Sequence, residues 1–181
     1  MNIRIHKILT GSYANGPGKR NAVWFQGCTL HCPGCFNPLT HDPAKGKITT
    51  VGQLFSDLTI IPCDGITISG GEPFQQPEAL QELLQLLRDR SGLPVLVFSG
   101  YSYRQLCDVP HFSRSLQLID ALICGPYRKD LQPAYERFCS SDNQELVLLS
   151  DRYDKTEFNN LPLGEFIIDQ EGNAVFSGIC A

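Results

Sequence analysis

Four apolar runs of strand length each stop at a short segment rich in glycine or cysteine, and this recurrence constrains the fold more than anything else in the chain. The runs are 21–26 (NAVWFQ), 65–69 (GITIS), 94–98 (PVLVF) and 118–123 (LIDALI). They end at the cysteine-rich stretch 27–38, at "GGEP" (70–73), at "SGY" (99–101) and at "CGPY" (124–127). Helical signals lie between them. Over Pro77–Arg90, Pro77 suits the first turn, Glu78 complements the helix dipole, and Leu80, Leu83, Leu84, Leu86 and Leu87 make one apolar face, read as ordinary core. Thr50 is placed to cap a helix through Leu58, and Ser102–Cys107 reads as a short helix. Strands alternating with helices indicate parallel βα units. In such folds, sites gather beyond the carboxyl ends of the strands. The four segments are therefore expected together at one end of one sheet. A full eightfold barrel needs about 250 residues, so this chain of 181 residues predicts an α/β fold with a partial, open barrel, in one domain over 1–181. Ile3–Leu9 alternates as a strand, 11–20 is a turn-rich loop, 125–144 is polar and irregular, and 145–149 is a further strand. The stretch 165–177 predicts a terminal hairpin, with strands Glu165–Asp169 and Ala174–Ser177.

The cysteine-rich stretch carries the chemistry. Net charge is −4 with no Lys/Arg run, which argues against a dedicated nucleic-acid binder. There is no apolar stretch of membrane-spanning length, and the start, "MNIRIHKILTGSY", is too short and polar for a signal peptide. The expected compartment is the cytoplasm, where eight cysteines point to metal or redox chemistry rather than disulfides. Three of them form Cys28-x3-Cys32-x2-Cys35, a spacing that wraps one soft metal centre. Structural zinc takes four protein ligands, and only His31 or His41 is near enough in sequence to be the fourth. His31 directly precedes Cys32 and would point away. An iron–sulfur cluster fits three ligands better, because an iron left open is where chemistry occurs. Of the other five, Cys63 and Cys107 are expected as buried, inert thiols. Cys124 follows a strand at the active end, where a functional role competes with burial. Cys139 and Cys180 are read as inert, with a redox pair as the alternative.

Cys28-x3-Cys32-x2-Cys35 is the motif of the radical S-adenosylmethionine (SAM) superfamily, and "GGEP" resembles its segment for the methionine end of SAM. "NGPGKR" (15–20), "WFQGC" (24–28) and "CPGCFNP" (32–38) resemble the glycyl-radical-enzyme activases. The short length, "DALICGPY" (120–127) and "SSDNQ" (140–144) resemble those serving an anaerobic ribonucleotide reductase. The resemblance implies a partial, open parallel (β/α)6-type barrel of the radical SAM kind. It implies a [4Fe–4S] cluster on Cys28, Cys32 and Cys35, with the amino and carboxylate groups of SAM on the open iron. Gly70, Gly71, Glu72, Ser99, Gly100 and Phe36 would contact the cofactors, with no catalytic residue beyond the cluster ligands. Reductive cleavage of SAM would give a 5′-deoxyadenosyl radical that takes hydrogen from a glycine of the partner enzyme. The implied partners are that glycyl-radical subunit and a flavodoxin- or ferredoxin-type electron donor, with no nucleic acid and no membrane.

The chain departs from the activase pattern at Asn15, at Cys124 and in "RFCSSDNQ" (137–144), which bear on substrate rather than on SAM cleavage. Two other readings stay open: a short radical SAM enzyme acting on a nucleobase precursor or peptide, and a non-catalytic zinc or iron–sulfur module. "GSYANGPG" lacks the ending of a phosphate-binding loop and reads as a turn placing Arg20. Trp24 and Phe25 are read as wall packing, and Tyr127, Arg128 and Lys129 as a solvated loop or a contact to SAM or partner.

Overall fold

The computed structural model describes residues 1–35, 37–131, 138–168, 171–172 and 174–178. Seven strands form one sheet: β1 (Asn2–Ser12), β2 (Arg20–Phe25), β3 (Lys47–Thr50), β4 (Gly65–Gly70), β5 (Val95–Ser99), β6 (Ala121–Cys124) and β7 (Glu145–Leu148). Their order is β3-β1-β2-β4-β5-β6-β7. β2, β4, β5 and β6 run parallel, whereas β1 pairs antiparallel with β2 and β3, and β7 antiparallel with β6. The fold is thus mixed α/β with a parallel-rich sheet. Strict repetition of parallel βα units stops at β1, because only a turn-rich loop joins it to β2 and the chain reverses there.

Helices connect the parallel strands: α1 (Val51–Thr59), α2 (Pro77–Leu86), α3 (Tyr103–Asp108) and α4 (Pro110–Leu116). Thr50 caps α1 as expected, its side chain accepting from the Gln53 amide at 3.1 Å. Ser102 and Gln105 form a capping box on α3. Two expectations change at their edges. The α2 pattern continues past Leu86 as a wider turn over Leu87–Ser91, closed by Gly92 at φ 63°. The strand expected over 118–123 begins only at Ala121. Asp120 fixes that start: its amide donates to Val95 O at 3.0 Å while its carboxylate accepts from Val95 N at 2.8 Å and Ser150 Oγ at 2.7 Å. Leu116 and Ile119 are buried before the strand begins.

The helices pack on one another and bury one face of the sheet, with Val23, Phe25, Ile66, Ile68, Val97 and Leu122 against Leu54, Leu80, Leu83 and Leu84. Alternate residues face the other way. On that face Leu96, Ala121 and Ile123 meet Phe138, Cys139, Tyr153 and Phe158. β8 (Gly164–Ile168) and β9 (Ala174–Gly178) form the expected hairpin. Glu165 holds it to the β1–β2 loop by accepting from Tyr13 N at 3.0 Å and from Ser12 Oγ. Of the residues expected in that hairpin, Asp169, Gln170 and Asn173 lie outside the described residues.

The β1–β2 loop does place Arg20, which is fully buried at the start of β2. All its N–H groups have neutral acceptors: Thr67 Oγ1 (3.1 Å), Tyr153 OH (2.6 Å), and the carbonyls of Pro17 (3.4 Å), Ile66 and Pro94 (3.3 Å). A buried polar group without a partner costs about 1–3 kcal/mol. Arg20→Met strands several at once and is expected to destabilise the fold by roughly 3 kcal/mol or more, read as a lower urea midpoint.

Candidate active site

The carboxyl ends of β2, β4, β5 and β6 open into one cleft. Cys28, Cys32, Cys35, Ser69, Gly70, Gly71, Glu72, Ser99, Gly100 and Tyr127 line it, joined by Leu30, Asn37, His41, Phe98, Ser140 and Gln144. The three cysteines and the two glycine-rich exits are therefore brought together. Phe36 lies outside the described residues.

Main-chain bonds build the cysteine loop. Gly27 N donates to Thr40 O at 2.7 Å, Cys28 N to His41 O at 3.0 Å, and Cys35 N to Cys32 O at 3.1 Å. His31 at φ 45° and Gly34 at φ 73° turn the chain between the thiols. Cys28 is buried, whereas Cys32 and Cys35 are half-buried. Burial pushes the Cys28 and Cys35 thiols up; backbone amides at Leu30 and His31, and at Asn37, pull the other way. Cation binding must displace those protons, so loading this site releases acid. Three soft sulfurs around one cleft suit an iron–sulfur cluster with three protein ligands. His31 and His41 stack edge-on, ring centroids 5.1 Å apart. Among the described residues, no three His, Cys, Asp or Glu side chains converge as around a single ion.

The GGEP glycines are required by the protein's own backbone. A Cβ on Gly71 would sit 2.2 Å from Gly27 O, and one on Gly70 2.3 Å from Phe25 N. That closeness lets Gly71 N donate to Phe25 O at 2.8 Å and Glu72 N to Gly27 O at 2.9 Å. Gln75 adds a side-chain brace: Thr29 N donates to its Oε1 at 3.0 Å, and its Nε2 donates to Thr29 Oγ1 at 2.7 Å and Tyr101 OH at 3.1 Å. Sequence reading missed Gln75, since nothing local distinguishes it from an ordinary surface glutamine. It also gave no role to "SSDNQ" beyond resemblance. There Gln144 Oε1 accepts from Ser140 N (2.9 Å) and Ser141 N (3.2 Å), while its Nε2 donates to Gly125 O at 3.0 Å. This clasp holds the β6 exit, and Tyr127 with it, at the cleft.

Glu72 is fully buried. Its Oε1 accepts from Phe74 N (3.1 Å) and Ser99 Oγ (3.0 Å), and its Oε2 from Gly100 N (2.7 Å). Burial outweighs these bonds and pushes its carboxyl from 4.5 up to about 7. The folded state therefore keeps a proton that the unfolded state loses, and stability falls as pH rises from about 4.5 to about 7. At about 1.4 kcal/mol per pH unit the full effect is about 3.5 kcal/mol. Glu72→Gln should flatten this part of the urea-midpoint curve of the metal-free protein; an unchanged slope would refute the assignment.

The other described cysteines do not line the cleft. Cys124 is buried, its Sγ 3.8 Å from Glu145 Oε1, and burial followed by the Glu145 charge pushes the thiol up to about 12. It is a neutral packing thiol. Cys139 is buried in the second core, and Cys63 packs partly buried against the first. Cys107 is exposed rather than buried, because α3 turns Leu106 inward instead. Cys180 lies outside the described residues. Arg128 pairs with Asp130 at 2.6 Å, while the Lys129 stem lies over Gly34. Phe25 is core, and Trp24 packs under Lys7, whose Nζ is 4.5 Å from the ring centroid.

The family described as a 4Fe-4S single cluster domain matches residues 14–147. A cleft with three thiols and one such domain define an iron–sulfur protein. The chain belongs to the radical SAM activases of glycyl-radical enzymes, and its cofactors are a [4Fe–4S] cluster and SAM. It is 30% identical over 146 residues to the anaerobic ribonucleoside-triphosphate reductase-activating protein of Enterobacteria phage T4, covering 77% of this chain and 90% of that one. The protein of the same name from Escherichia coli is 30% identical over 148 residues, 77% of this chain and 94% of that one. The pyruvate formate-lyase-activating enzyme of Clostridium pasteurianum is 38% identical over 106 residues, which span 55% of this chain and 44% of that enzyme. Among the described residues, no helix is long and apolar enough to cross a membrane.

Proposed function

We propose that this chain installs a glycyl radical on an anaerobic ribonucleotide reductase. The observation that carries the reading is the shared cleft: three thiols, the GGEP exit and the SGY exit face one space. In this reading Cys28, Cys32 and Cys35 hold the cluster, and Gly70, Gly71, Glu72, Ser99 and Gly100 form the cofactor platform. The cluster with SAM supplies reductive carbon–sulfur cleavage and a 5′-deoxyadenosyl radical. The chain's own part is mechanical. The cysteine loop is pinned to the GGEP exit by Glu72 N and Gln75, the Gln144 clasp sets the position of Tyr127, and the apolar walls of Leu30 and Phe98 limit water. The β-sheet is read as a partial radical SAM barrel within a single domain. It ends at β3 and β7, and an open side suits a protein loop as substrate. The half-exposed Cys32–Cys35 turn is the natural entry for an electron from a flavodoxin- or ferredoxin-type donor in the cytoplasm.

Coverage of 90% and 94% of the two reductase-activating relatives favours this partner over a small molecule or peptide. The test is an anaerobic incubation of reconstituted protein, SAM, reductant and a candidate reductase subunit, read by EPR. A glycyl-radical doublet dependent on SAM supports the proposal; SAM turnover with no radical on the reductase refutes the partner.

A further inference from the structure

Glu72 joins three of the strand exits that make the cleft. Its amide is held by Gly27 O, beyond β2, at 2.9 Å. Its own position follows β4, and its carboxylate reaches Ser99 and Gly100 at the end of β5. The partners of that carboxylate are all neutral donors, and the Phe74 amide only caps the turn that follows. Ser99 Oγ accepts from Tyr101 N at 3.1 Å, so its own proton is committed to Glu72. A carboxylate is the side chain that suits this place: three donors converge on it, and an amide would set its NH2 against at least one of them.

We propose that Glu72 is a positioning residue rather than a contact of SAM: its carboxylate ties the SGY segment to the GGEP segment and thereby fixes the width of the SAM platform. This rests on the reading that SAM occupies this cleft. Buried groups of one network are coupled, so their losses do not add. Ser99→Ala breaks the same tie from the far end without changing the charge of Glu72.

The test is SAM affinity, by equilibrium dialysis of the anaerobically reconstituted protein, for wild type, Glu72→Gln, Ser99→Ala and the double variant, with iron counted in each. The tie predicts full iron, about tenfold weaker SAM binding in Glu72→Gln, a smaller loss in Ser99→Ala, and a double variant no weaker than Glu72→Gln. Direct contact predicts the loss in Glu72→Gln with SAM affinity intact in Ser99→Ala and additive in the double; that overturns the proposal. A lowered melting temperature with unchanged SAM affinity also overturns it, as a merely structural role. If Glu72→Gln does not fold, Ser99→Ala decides alone, and unchanged affinity there refutes the tie. Wild type that carries full iron yet binds no SAM fails differently: it sinks the SAM reading of the cleft and the tie with it.

Discussion

Replacing Cys32 with alanine is expected to strip the protein of its cluster. After identical anaerobic reconstitution, iron retention should fall steeply, and metal affinity by at least about 100-fold. The reason is the donor set. Three thiols line the cleft, and the carboxylate that shares it, Glu72, is already bonded to Phe74 N, Ser99 Oγ and Gly100 N. Two sulfurs cannot hold what three hold with an iron already open. Cys28→Ala and Cys35→Ala should behave alike, although Cys28 is buried and Cys35 is not. Cys124→Ala and Cys107→Ala should keep wild-type iron, since Cys124 is a neutral buried thiol and Cys107 lies on the surface of α3. Iron per chain reads all five. Equal iron in Cys32→Ala and wild type would refute the ligand assignment.

The second large effect is expected at Gly71. An added methyl carbon would lie 2.2 Å from Gly27 O and 2.8 Å from Gly27 C, both backbone atoms. Neither can swing aside, so the GGEP exit must separate from the cysteine loop, losing the Gly71 N–Phe25 O and Glu72 N–Gly27 O bonds. Overpacking commonly costs about 1–3 kcal/mol, and more where backbone must move. Gly71→Ala should therefore lose more than about 3 kcal/mol of stability. Gly100→Ala meets the tip of Leu30 at 2.4 Å, a side chain that can turn, and should cost less. Gly52→Ala, in α1 with nothing within 4 Å, should be neutral or stabilise by about 0.5 kcal/mol. Urea midpoints give the order Gly71, Gly100, Gly52; a tolerated Gly71→Ala would contradict the packing of the two exits.

The contrast between these glycines shows what the sequence could carry. The Cys28–Cys32–Cys35 spacing, the capping residue Thr50, the short helix beginning near Ser102 and the apolar face of α2 are local patterns, and the structure keeps them. The four parallel strands were legible from apolar runs that each stop at a turn. β1 and β7 were legible as strands, but their antiparallel direction was not, because strand direction depends on how connections cross the sheet. β3 was unread, since "KITT" is short and polar. The glycines of GGEP were legible as necessary, but their reason was not. They were expected to admit a ligand, and in the fold they admit the backbone of Phe25 and Gly27. The same holds for the Glu72 carboxylate and Gln75, whose partners, the Phe74 amide apart, are 26 to 46 residues away in the chain.

The most direct test is the release of 5′-deoxyadenosine by the protein, loaded anaerobically with iron and sulfide and given SAM and a strong one-electron reductant. The account predicts release by wild type and none above background by Cys32→Ala. A fully loaded wild-type protein that releases none, with or without a reductase subunit present, would contradict it and leave a cluster-binding protein that does not cleave SAM.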